Sequence, residues 1–164
     1  MYASLRALVL QAFVLSLCVP AGLSAQTNDD ASIGKWTLNI AKSTATGPAP
    51  KRQMRTYEDR GGGVVVLTLE GIDAQGKPIF NAFTFKYDGK EYPTGFTGYD
   101  PTTGGVLSSS YKLVDPFTLE VTQTRRVNGK ATSVNTITRT VSKDRKTMTF
   151  ATAGSNTVTV WDKQ

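Results

Sequence analysis

From Ile33 onward the chain repeats one pattern: a short run of alternating apolar and polar residues, then a turn signal. A two-residue period is that of a β-strand, whose successive side chains point to opposite faces. The runs fall at residues 35–41, 53–58, 64–71, 79–87, 91–95, 106–114, 118–127, 132–141, 147–153 and 157–162. Among the turn signals between them are Gly61-Gly62-Gly63, Asp88-Gly89-Lys90, Asp115-Pro116, Asn128-Gly129 and Gly154-Ser155-Asn156. Asp-Gly and Asn-Gly are strong hairpin cues, so residues 79–87 and 91–95 are expected to pair, as are 118–127 and 132–141. After the N-terminal segment no stretch offers a helical apolar stripe with caps. Thr and Val are frequent in the runs, as strands prefer.

Consecutive hairpins make an antiparallel meander, and a long meander has two edges to hide. Closing into an up-and-down barrel removes both. A sandwich is the competing architecture, but it needs long crossing connections, and nearly every connection here is short. The expectation is an all-β, single antiparallel up-and-down barrel of about 8–10 strands.

The first 25 residues read as a secretory signal peptide and not as part of the fold. Arg6 supplies the positive region, residues 7–19 are apolar except for Gln11 and Ser16, and Pro20 and Gly22 precede the small residues Ser24 and Ala25. The apolar run is shorter than the roughly 20 residues of a membrane-spanning helix. Cleavage is expected after Ala25, giving a periplasmic or secreted protein with no transmembrane span. Residues 26–33 are expected to be a flexible leader, and 34–164 one barrel domain. Cys18, the one cysteine of the chain, leaves with the signal. No disulfide then holds the fold. Without Arg6 the 19 basic residues fall to 18 against 13 acidic ones, a net charge of +5. The charges are scattered rather than blocked, which fits a solvated surface, though the excess also favours an anionic partner.

Histidine is absent, and cysteine is absent after processing. Ser-His-Asp and Cys-His nucleophilic systems and the usual zinc and haem ligand sets are thereby excluded. A paired-carboxylate hydrolase survives on composition alone. However, Asp88, Asp100, Asp115 and Asp144 stand at turns, where aspartate caps backbone N–H groups. Gly61-Gly62-Gly63 is not followed by a helix that could bind a phosphate. Neither catalysis, metal nor cofactor is expected.

Strand parity makes a more pointed suggestion. Leu119, Val121 and Val127 share a face with Gln123 and Arg125, and Ile137 and Val141 share one with Asn135 and Arg139. If the apolar face looks inward, both arginines project toward the interior, and a buried guanidinium needs an anionic or densely hydrogen-bonding partner. That partner could be a ligand carboxylate held by the guanidinium fork, an internal carboxylate, or the face of a buried tryptophan. Outward-facing arginines are the remaining alternative. Phe83, Phe85 and Tyr87 share one face and are candidate pocket aromatics. Aromatics interleaved with Lys and Arg also suit single-stranded nucleic acid, but export argues against that partner.

Gly34-Lys35-Trp36, opening the first strand, resembles the Gly-x-Trp signature that begins lipocalins and their calycin relatives. With Lys86-Tyr87-Asp88-Gly89-Lys90 and Val141-Ser142-Lys143-Asp144, it makes residues 34–163 similar to small secreted bacterial proteins of lipocalin-like type. The resemblance implies a barrel with an internal site for a small, largely apolar molecule. It also implies that Trp36 plugs the closed end beneath a late-strand arginine, which Arg139 or Arg125 would supply. Fatty-acid-binding relatives hold the ligand carboxylate with an Arg-x-Tyr pair near the chain end. Val158-Thr159-Val160-Trp161 contains neither residue, which puts a fatty acid in doubt.

The reading that follows is an exported, non-enzymatic carrier of a small hydrophobic or amphipathic ligand, including an anionic one. Arg125, Arg139, Gln123, Asn135, Phe83, Phe85 and Tyr87 are its candidate contacts. The alternative is an envelope or secreted interaction barrel with a filled core, meeting a macromolecular partner through its loops.

Overall fold

The computed structural model describes residues 29–44, 47–94, 99–100 and 104–164; residues 1–25, expected to be a signal peptide, lie outside them. Eleven strands follow in chain order: β1 (Gly34–Thr44), β2 (Arg52–Asp59), β3 (Val64–Ile72), β4 (Pro78–Lys86), β5 (Glu91–Pro93), β6 (Tyr99–Asp100), β7 (Gly105–Asp115), β8 (Thr118–Val127), β9 (Lys130–Val141), β10 (Thr147–Thr152) and β11 (Val158–Lys163). All pairings are antiparallel, and no helix occurs among the described residues. The sheet order is β4-β3-β2-β1-β11-β10-β9-β8-β7-β5, with β6 also on β7. The chain therefore forms an up-and-down meander curled into a nearly closed barrel.

The first and last strands seal one seam. Trp36 lies opposite Lys163 and Leu38 opposite Trp161, and the register slips between Asn39 and Thr44. The other seam lies between β4 and β5 and departs from the sequence expectation. The turn at Asp88-Gly89 does not lay β5 back on β4. Instead the Gly89 N–H donates to Tyr111 O at 3.1 Å, and β5 pairs with β7, Glu91 opposite Ser110. A turn residue that bonds to β7 carries the following strand there. Across the seam Asn81 Nδ2 donates to Thr94 O at 3.3 Å, a side chain standing in for a ladder rung.

Other local signals behave as their chemistry dictates. Asn128 and Gly129 both take positive φ, 50° and 76°, the geometry that joins β8 to β9 in a tight hairpin. At Gly71 the β2 backbone passes so close that a Cβ would meet Arg52 O at 2.2 Å, so only glycine fits.

Inward positions alternate as expected in β8, where Leu119 and Val121 are buried and Glu120 between them is exposed. With Trp36, Val65, Phe85, Val141, Met148 and Trp161 they form the core at the end where β1 begins. Asp30, Ala31 and Ser32, within the segment expected to be a flexible leader, are buried. The Ala31 N–H also donates to Pro116 O at 2.7 Å.

Candidate functional site

The barrel has a packed end and a hollow one. At the packed end the leader turns inward and places Asp30 beneath the strands. Its carboxylate accepts from the Ser32 backbone N–H and the Ser32 hydroxyl, both at 2.8 Å, from Arg139 Nη2 at 2.6 Å, and from the Tyr87 hydroxyl. Both charged side chains are fully buried. Burial works against the Arg139 charge, but Asp30, Tyr57 and Tyr87 outweigh it and raise the guanidinium above its ordinary value. Burial and the adjacent carboxylate push the Tyr87 hydroxyl well above its usual range.

Trp36 is fully buried beside this cluster, its Nε1–H donating to Ser32 O at 2.6 Å. Lys163 covers it, with Nζ 4.4 Å from the ring centroid and bonded to Ile33 O at 2.5 Å. Of the partners open to Arg139, the internal carboxylate is the one it has. Arg139 and Tyr87, expected as ligand contacts, both bond to Asp30, and Arg139 Nε and Nη1 are buried without hydrogen-bond partners.

Toward the other end lies a cavity of about 330 Å³. Its apolar wall comes from Leu67 and Leu69 of β3, Phe83 and Phe85 of β4, Tyr111 of β7, and Leu119 and Val121 of β8. Phe85 and Tyr111 stack across the β4–β5 seam, with centroids 3.9 Å apart and planes 18° from parallel. Burial holds the Tyr111 hydroxyl protonated well beyond its ordinary range. Polar groups are few: Asn81, Gln123, Thr94, threonines of the β10–β11 hairpin, and Arg55. A second hollow, of about 550 Å³, lies between the β1–β2 connection and the β3–β4 turn and shares Thr159 with the first.

Arg55 is the cation of the cavity. It projects from β2 on the same face as Tyr57, and its guanidinium carbon stands 4.3 Å from the Phe150 centroid and 4.5 Å from that of Trp161. Its Nε is buried without a hydrogen-bond partner, and it takes part in none of the ion pairs among the described residues.

Phe83, Phe85 and Gln123, singled out from sequence, line the cavity; Arg125 and Asn135 do not. Asn135 lies opposite Gln123 but is exposed. Arg125 is half-buried opposite Ser133, just before the β8–β9 register slips. Arg55 escaped the sequence reading although a signal existed, namely its two-residue spacing from Tyr57. Met54 on the opposite face of the same strand made the inward side of β2 ambiguous.

No protein-family model matches the chain, and no curated protein matches it in sequence. Solved structures do match in fold. The wild-type fluorescent protein UnaG superposes with a TM-score of 0.54 at 16% identity, covering 80% of this chain and 96% of that one. Fatty-acid-binding protein 1 of Echinococcus granulosus gives 0.53 at 17%, covering 81% and 97%. A Schistosoma mansoni fatty acid binding protein in complex with arachidonic acid gives 0.52 at 15%, covering 84% and 99%. The chain thus shares the β-barrel fold of these proteins.

Proposed function

We propose that this protein is an exported, non-enzymatic carrier that holds a small, largely apolar ligand inside a lipocalin-like barrel. The observation that carries the reading is the internal cavity of about 330 Å³, walled by aliphatic and aromatic side chains with a handful of polar groups. That volume falls within the roughly 300–1,000 Å³ of small-molecule sites. A filled-core interaction barrel would have used this space for side chains. Affinity comes from apolar ligand surface withdrawn from water, at roughly 25 cal/mol per Å² before the costs of ordering.

Similarity in fold to binding proteins, one of them solved with arachidonic acid, supports the same reading. Export rests on the pattern of Arg6, residues 7–19 and Ser24-Ala25. The test is a fluorescence titration with the uncharged apolar dye Nile red. The protein takes up one dye per chain, and Leu69→Trp, which fills the cavity, abolishes uptake while leaving the folded circular-dichroism spectrum unchanged. Equal dye uptake by both proteins contradicts the reading.

A further inference from the structure

We infer that Arg55 is an anion anchor and that the ligand class of the cavity is a compact aromatic carboxylate. The inference rests on the carrier reading above and adds to it the charge and shape of the ligand.

Arg55 has the means to hold a charge but lacks one to hold. A guanidinium carries five N–H donors in the plane of its fork and no acceptor. Ring faces attract its charge but accept little from its in-plane N–H groups. Phe150 and Trp161 thus keep Arg55 in place, at 4.3 and 4.5 Å from its central carbon, and leave its donors unspent. Nε is buried and unpartnered, and no carboxylate among the described residues forms an ion pair with Arg55. A buried donor on a cation is costly to leave unmade. Arg139, the other inward arginine, also has buried donors without partners, at Nε and Nη1, but its charge is met by Asp30, whereas that of Arg55 meets no carboxylate among the described residues. A carboxylate is the acceptor whose two oxygens match the fork.

Shape follows from the walls. The cavity that Arg55 lines presents rings, among them Phe83, Phe85, Tyr111 and Phe150. Aromatic pairs favour offset-stacked and edge-to-face geometry, which a flat ligand meets and an alkyl chain does not. The cavity of about 330 Å³ lies at the low end of the roughly 300–1,000 Å³ of small-molecule sites, the scale of a one- or two-ring molecule. The anchor also differs from an arginine on the last strand, since β11 has none.

The experiment is isothermal titration of the mature protein with 1-naphthaleneacetate, its neutral and nearly isosteric amide, and oleate. Wild type binds the naphthaleneacetate at least ~10-fold tighter than the amide, and tighter than oleate. Arg55→Gln brings acid and amide within ~3-fold of each other without weakening the amide, whereas Arg55→Lys retains part of the preference. Should Arg55→Gln unfold, the wild-type acid-to-amide ratio and the lysine variant decide the matter. Acid and amide binding equally to wild type overturns the anchor and leaves the carrier standing. Oleate binding tightest overturns the compact aromatic class. No binding of any of the three, together with no uptake of Nile red, overturns the carrier reading itself.

Discussion

Asp30 Oδ1 accepts a hydrogen bond from Arg139 Nη2 at 2.6 Å, and neither side chain has any surface in contact with solvent. The residues are 109 positions apart. The bond ties the segment before β1 to the penultimate hairpin and closes the packed end of the barrel.

Removing one partner of such a pair strands the other charge in the core. Asp30→Ala is expected to cost about 3–5 kcal/mol, measured by denaturant unfolding. Adding Arg139→Met to Asp30→Ala costs much less than the sum of the two single changes, because an apolar side chain needs no counter-charge. Additive losses would mean the pair is not coupled.

Tyr87 and Tyr111 set the alkaline limit of the fold. Burial, and for Tyr87 also Asp30, holds both hydroxyls protonated more tightly in the folded chain than in the unfolded one. Unfolded tyrosines ionise near pH 10. The stability these groups contribute is therefore complete below about pH 10 and is lost as the pH climbs beyond it. Tyrosinate absorbance from these two should appear only together with unfolding. In Tyr87→Phe and Tyr111→Phe that late component falls accordingly. A smooth tyrosinate titration near pH 10 in a still-folded protein would contradict the placement.

Gly71→Ala tests the close approach of β2 to β3. The new Cβ would stand 2.2 Å from Arg52 O, a backbone atom that cannot swing aside. Overpacking of this kind is expected to cost about 1–3 kcal/mol, read as a lower denaturant midpoint. An unchanged midpoint would show that the two strands have slack at this position.

The barrel was legible in the sequence because its signals are local and repeated. Period-two alternation and Asn128-Gly129 each fix a strand or a turn from neighbouring residues alone. The β4–β5 seam was not legible. Its Asp88-Gly89 turn looks like any hairpin cue, and only the bond from Gly89 to Tyr111 sends β5 elsewhere. The site was half legible for a related reason. Parity put Gln123, Phe83 and Phe85 on inward faces, and the structure lines the cavity with them. Parity also pointed Arg139 inward, but its partner is Asp30, in a segment expected to be a flexible leader. Arg125 shares that parity but is half-buried and does not line the cavity. Arg55 was hidden because β2 carries apolar residues on both faces, Met54 on one and Tyr57 on the other.

The measurement that bears most directly on the carrier reading is native mass spectrometry of the protein purified from its exported fraction, compared with the same sample unfolded. The account predicts a chain beginning at Gln26 that carries a discrete extra mass, lost on unfolding, of the size of a compact organic acid. A bare polypeptide mass that stays bare after the protein is offered aromatic acids, neutral aromatics and lipids would contradict it.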